Sequence, residues 1–174
     1  ALAEVLFGDY NPSGKLPVTF YASNDDLPDF LDYSMENRTY RYFKGEALYP
    51  FGFGLSYSEF EYSPVSLSGD TLTADGKITA TVTVSNKGKM DGKEPVQLYI
   101  CDVKGSVIRP CRELKGLQKL LIKAGESVTV SFEITADMLR FYNEDMEYTA
   151  EPGEFTVWIG GSSLTKNEAQ FFIR

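Results

Sequence analysis

The 174-residue chain contains no histidine. That absence removes Ser–His–Asp triads, Cys–His dyads and histidine metal ligands together. Cysteine is nearly as scarce, with only Cys101 and Cys111. Two thiols do not make a structural zinc site, which takes four ligands, and the residue pattern implies no metal and no cofactor. The two cysteines bridge only if their Cα atoms approach within about 7 Å; the plainer reading is two independent, half-buried thiols. Basic residues are outnumbered, 17 Lys and Arg against 25 Asp and Glu, for a net charge of −8. An acidic surface repels phosphate, so nucleic acid is not an expected partner. No stretch approaches the ~18–20 apolar residues that span a bilayer, so no membrane partner is expected either. The chain opens ALAEVLFG, with neither Met nor a basic leader stretch. It reads as beginning inside a longer polypeptide.

Aromatics, in contrast, are abundant, with 11 Tyr and 12 Phe. Such a chain has the means to build a core and does not read as disordered. Three regions emerge. Residues 1–21 begin with Leu2, Val5 and Leu6 on one helical face and Gly8 as a stop. The turn formers DYNPSG follow, then a strand-like run from Lys15 to Tyr21, with Pro17 placing it at an edge. One helix and one strand bury no core alone, so they look like the edge of an α/β domain. Residues 22–59 show no sustained period. They are acidic at first and then crowded with Tyr33, Tyr40, Tyr42, Phe43, Tyr49, Phe51, Phe53 and Tyr57. A flexible linker is polar and rich in Gly and Ser, so this arm is expected to lie pinned on a surface.

Residues 60–174 are all β in pattern. Ile78, Ala80, Val82 and Val84 alternate with Thr79, Thr81, Thr83 and Ser85. Val96, Leu98 and Ile100 continue the pattern, as do Val128, Val130, Phe132 and Ile134, and Phe155, Val157 and Ile159. Period-two alternation puts one face in a core and the other in water. Turn signals such as Asp75-Gly76, Asp91-Gly92 and Pro152-Gly153 separate the runs. The pattern predicts an antiparallel sandwich of about seven strands, with one helical turn over Asp137 to Phe141. Trp158 alternates with Phe155, Val157 and Ile159 and so falls on the opposite face, and the sequence leaves open whether it covers an interface or stands exposed.

Candidate chemistry is sparse. Asp25, Asp26 and Asp29 cluster, as do Glu144, Asp145 and Glu147. A working carboxylate pair needs burial to separate two pKa values, and both clusters lie in polar, turn-rich stretches that read as solvated loops. Gly8 to Leu16 approaches a phosphate loop but has five residues between its glycines and Leu16 after the lysine. The phosphate loop needs four and a hydroxyl residue, so that reading fails. Asn37-Arg38-Thr39 fits a glycosylation sequon. Asp102 to Arg112 is long for a hairpin loop, and it is expected to project outward, with Arg109 and Arg112 pairing with carboxylates elsewhere.

Two stretches carry a resemblance. GDYNPSGKLPVTF (8–20) and RTYRYFKGEALYPFGFGLSYSEFEYS (38–63) resemble the segment that leads into the C-terminal sandwich of family 3 glycoside hydrolases. VTVSNKGKMDGKEPVQLYI (82–100), RPCRELKGLQKLLIKAGESVTVSFEIT (109–135) and YTAEPGEFTVWIGGSS (148–163) resemble that family's fibronectin-type-III-like domain, an immunoglobulin-like sandwich. The signatures YPFG-x-GLSY and ELKG-x-QK are its most specific part. The lead-in RTYRYF resembles the β-xylosidase and α-arabinofuranosidase branch more than the β-glucosidase one. The resemblance implies a secreted or periplasmic parent that removes β-linked sugars with retention. Its nucleophilic Asp and acid/base Glu lie upstream of this segment, so no catalytic residue is carried over. The parent's catalytic domains are the implied partners, with carbohydrate reached only through them. Without those domains, Leu2, Val5, Leu6, Leu16, Val18 and Phe20 are expected to leave residues 1–21 mobile or self-associating. The alternative is a carbohydrate-binding module that uses Tyr40, Tyr42, Tyr49 or Tyr57 as a stacking platform.

Overall fold

The structure, a computed structural model, describes residues 2–174. The N-terminal helix α1 (Leu2–Phe7) ends at Gly8, whose N–H bonds Val5 O at 3.2 Å. Leu2 and Leu6 on its apolar face stand largely exposed. The strand expected over 15–21 is shorter: β1 (Phe20–Tyr21) pairs with β2 (Ala47–Tyr49). Leu16 makes a separate rung, donating to Phe53 O and accepting from Gly52 N–H, both at 2.8 Å. Pro17 then has no N–H with which to extend that ladder. The intervening arm carries α2 (Thr39–Tyr42).

The sandwich follows. One sheet is built on β6 (Lys77–Asn86), flanked on one side by β3 (Phe60–Tyr62) and β4 (Ser66–Leu67). The other side of β6 pairs along its length with β9 (Ser127–Thr135). The second sheet runs in the order β5 (Thr71–Leu72), β13 (Glu168–Ile173), β12 (Gly153–Gly160), β7 (Gly92–Asp102), β8 (Glu113–Ile122). The sheets thus hold nine strands where about seven were expected. β3 and β4 form one edge broken at Pro64, and β5 is only two residues long. α3 (Ala136–Leu139) supplies the expected helical turn, and β10 (Phe141–Tyr142) pairs with β11 (Tyr148–Thr149) in a small hairpin.

Alternation places the core as predicted. Ile78, Ala80, Val82 and Val84 from one sheet meet Val96, Leu98, Ile100, Phe155, Val157 and Ile159 from the other, all buried. Burying each large apolar side chain contributes about 1.5–3 kcal/mol. The two outer faces differ. Outside β6 and β9, hydroxyls pair across strands, Thr81 with Ser131 at 3.0 Å and Ser85 with Ser127 at 2.7 Å. Outside β7, where the alternation predicts a wet face, Pro95, Gln97 and Tyr99 are buried.

The arm covers that face. Tyr40 stacks on Phe51 with centroids 4.0 Å apart, and both meet Tyr99 edge-on. Backbone bonds fasten the arm in place: Ser163 N–H to Phe51 O at 3.0 Å and Cys111 N–H to Arg41 O at 2.6 Å. Gln97 Nε2 donates to the carbonyls of Gly52 and Gly161, and its Oε1 accepts from the Tyr99 hydroxyl. Gly52 has φ +79, and a Cβ there would collide with the Gln97 amide and the Tyr99 hydroxyl. Gly125 has a similar φ of +76 but open space around it. Gly125→Ala should therefore cost only its backbone conformation, roughly 1 kcal/mol. Gly52→Ala should lose roughly 1–3 kcal/mol more, because it also displaces a buried hydrogen-bonded pair. Urea unfolding of both variants checks this; equal losses would contradict the packing described.

Candidate functional site

Three features of the surface between the N-terminal residues and the sandwich stand out. The first is an apolar hollow of about 910 Å³ lined by Val5, Leu16, Phe20, Tyr49, Phe53 and Leu55, among others. Phe20, Tyr49 and Leu55 keep 43–73% of their surface exposed. Tyr57 closes one side through its hydroxyl, which donates to Val5 O at 2.6 Å. A concave, largely apolar face of this kind is what a packed partner covers.

The second feature is polar and ties the N-terminal residues down. Asn11 uses its whole amide: Nδ2 donates to Ser58 Oγ and Asp91 O, while Oδ1 accepts from Ser56 Oγ and Tyr57 N–H, all within 2.8–3.0 Å. Lys15 Nζ lies 3.5 Å from Glu94 Oε1, which also accepts a 2.8 Å bond from the Tyr62 hydroxyl. Glu94 is buried, and desolvation pushes its carboxyl above the ordinary range despite Lys15 and Tyr62. These contacts anchor residues 11–16, where too few contacts to hold the segment were expected.

The third is a smaller cleft of about 280 Å³ under the arm, between Tyr40, Phe43, Arg112 and Ser163. Arg112 was expected to project outward with Arg109. Instead its Nη1 donates to Ser163 O and to Thr165 O, and its guanidinium sits 4.3 Å over the Trp158 ring. Trp158 is thus half covered, and its Nε1 donates to Glu168 at 2.6 Å. Arg109 folds back over Phe141 at 3.8 Å and lies 3.8 Å from Asp102. Asp102, Arg109 and Arg112 of the 102–112 loop all find partners within the chain.

The remaining candidates stay apart. Asp26 accepts from Ser23 N–H and Asp29 from Leu31 N–H, each capping a local turn in solvent. Glu144, Asp145 and Glu147 surround Asn143, whose Oδ1 accepts the N–H groups of Asp145 and Glu147. Neither cluster is buried. Cys101 and Cys111 are both free, and burial pushes the Cys101 thiol up to about 11. Among the arm tyrosines, Tyr40 is committed to packing, whereas Tyr49 and Tyr57 border the apolar hollow. Gln97, Tyr99, Glu94 and Asn11 were not singled out from the sequence. The available signal was the bulk of Pro95, Gln97 and Tyr99 where an exposed strand face would carry small polar groups.

Comparison with known proteins agrees with this arrangement at both ends. Residues 1–57 match the glycosyl hydrolase family 3 C-terminal domain, and residues 94–163 match the fibronectin type III-like domain. The chain belongs to glycoside hydrolase family 3. It corresponds to the C-terminal part of the family's enzymes. It is 45% identical to the periplasmic β-glucosidase of Salmonella typhimurium, covering 98% of this chain and 24% of that protein. It is 43% identical to the xylan 1,4-β-xylosidase of Xylanibacter ruminicola, covering 96% of this chain and 19% of that protein. The solved β-glucosidase of Erythrobacter marinus superposes with a TM-score of 0.86 at 35% identity, over 99% of this chain and 23% of that one. The chain thus spans about a quarter or less of the length of these relatives. β-Glucosidases and β-xylosidases both stand among its relatives, at similar identity. The fibronectin-type-III-like assignment agrees with the sandwich observed. Among the described residues, no helix is long and apolar enough to cross a membrane.

Glu94 yields a pH test. Its native carboxyl titrates above its ordinary value of 4.5, so the native state holds the proton more tightly than the unfolded state. Its contribution to stability is then full below about pH 4.5 and is lost as pH rises through the native value. Glu94→Gln removes this titration. The stability of the variant relative to the parent should therefore rise between pH 4 and pH 8, read from urea midpoints. A difference that stays flat, or falls, would contradict the burial of an ionisable carboxyl there.

Proposed function

We propose that the chain is the non-catalytic C-terminal region of a retaining, exo-acting family 3 glycoside hydrolase. Residues 1–21 would be the edge of its second catalytic domain, 22–59 a connecting arm and 60–174 the sandwich. The role proposed is to stabilise and pack the catalytic domains of the parent, which hydrolyses β-xylosides and arabinosides or β-glucosides. The apolar hollow lined by Val5, Leu16, Phe20 and Phe53 supports this reading, because all of its lining residues belong to the N-terminal segments and none to the sandwich. A parent that is secreted or periplasmic agrees with the periplasmic relative.

Retaining hydrolysis takes two carboxylates ~5–5.5 Å apart at a sugar site. The two acidic clusters of this chain are solvated and occupied in turns. The isolated chain is therefore expected to be inactive on aryl β-xyloside, β-glucoside and α-arabinofuranoside. Turnover above a buffer blank, surviving repurification, would overturn this. The second reading, a carbohydrate-binding module, draws on the exposure of Tyr49 and Tyr57. Titration with xylo-oligosaccharides separates the two. A saturable signal abolished by Tyr49→Ala and Tyr57→Ala favours the binding module; its absence favours the packing role.

A further inference from the structure

The small cleft under the arm has a chemistry that neither the core nor the apolar hollow explains. Arg112, Lys166, Thr19, Tyr40, Phe43 and Ser163 all line it, and no Asp or Glu does. Arg112 spends Nη1 on two backbone carbonyls, and it forms no ion pair with a carboxylate among the described residues. Burial lowers its pKa, offset in part by the Glu168 carboxylate that accepts from Trp158 Nε1 outside the cleft lining. Lys166 likewise forms no ion pair there, although the chain as a whole carries a net charge of −8. Thr19 Oγ1 is shut off from solvent with no hydrogen-bond partner. Arg112, the exposed Lys166, an unused hydroxyl and two aromatic side chains thus share one hollow whose lining carries no carboxylate.

We propose that this cleft binds a sugar acid, a hexuronate ring whose carboxylate lies between Arg112 and Lys166. The planar guanidinium fork suits a carboxylate better than a point charge does. The volume of about 280 Å³ falls just below the range for drug-sized ligands and suits a single ring. Tyr40 and Phe43 supply the apolar wall on which a sugar face rests. The choice of a sugar rests on the carbohydrate-processing reading above; the attraction for a carboxylate does not.

Titration of the full chain with glucuronate, glucose and acetate tests the proposal. Glucuronate should bind saturably and more weakly as ionic strength rises. Glucose and acetate should each bind about tenfold more weakly or worse, since each lacks one half of the recognition. Arg112 also holds the 163–165 loop, so Lys166→Glu carries the decisive test. That variant should fold as the parent does and lose about tenfold or more in glucuronate affinity. No saturable binding at low salt, acetate or glucose binding as tightly as glucuronate, or an unchanged Lys166→Glu affinity would each overturn the site. No turnover is read here, so failure of the cleft leaves the packing role standing, and activity of the chain would leave the cleft standing.

Discussion

Gln97 and Tyr99 sit fully buried on the face of β7 that points away from the sandwich interior, and the N-terminal residues are arranged around that fact. A buried amide or hydroxyl without partners costs about 1–3 kcal/mol. The Tyr99 hydroxyl donates to Gln97 Oε1, and the acceptors for Gln97 Nε2 come from the arm and from the loop after β12. Gly52 and Gly161 offer carbonyls, and Phe51 and Tyr40 offer ring surface. Once Phe51 and Gly52 are placed, Leu16 pairs beside them, and Lys15 is delivered to Glu94 at the end of the sandwich. The arm is a part of the sheet's packing, with its backbone stitched to both the 102–112 loop and the loop at Ser163.

The charge distribution follows from the same geometry. The chain is acidic overall, but Lys15, Arg109 and Arg112 are drawn inward to buried acids, carbonyls and aromatic faces. Arg109 and Asp102 face each other at 3.8 Å with Nε and Oδ2 both lacking a hydrogen bond, and burial raises the Asp102 carboxyl. The loop that joins β7 to β8 is thereby fixed against the sandwich, with Ser106 adding bonds to Glu151.

The core was legible because it depends on period-two alternation alone. Val82, Leu98, Val130 and Val157 point inward wherever the strands begin and end. The motif glycines were legible as signatures but not as physics. Gly116 of ELKG lies where a Cβ would meet the Phe132 ring at 2.7 Å, beside a register shift at Leu98 and Tyr99, and only the facing sheet reveals that. The wet outer face predicted for β7 was wrong because a segment more than forty residues earlier covers it; alternation describes one strand and is blind to long-range partners. The contacts that the loop arginines make within the chain were illegible for the same reason. Their partners, Phe141, Trp158 and the carbonyls of Ser163 and Thr165, are distant in sequence and common in type. The long strand expected over 15–21 was cut by Pro17, whose effect was read as edge placement rather than termination.

That the arm and the sandwich fold as one unit is the claim on which the rest depends, and amide hydrogen exchange of the isolated chain tests it most directly. The amides of Leu16 and Gly52 bond across the arm, at 2.8 Å each. They should exchange nearly as slowly as the amides of β7, and far more slowly than those of residues 30–36 in the exposed acidic loop. Exchange of Leu16 and Gly52 at the rate of that loop, while β7 stays protected, would contradict the account.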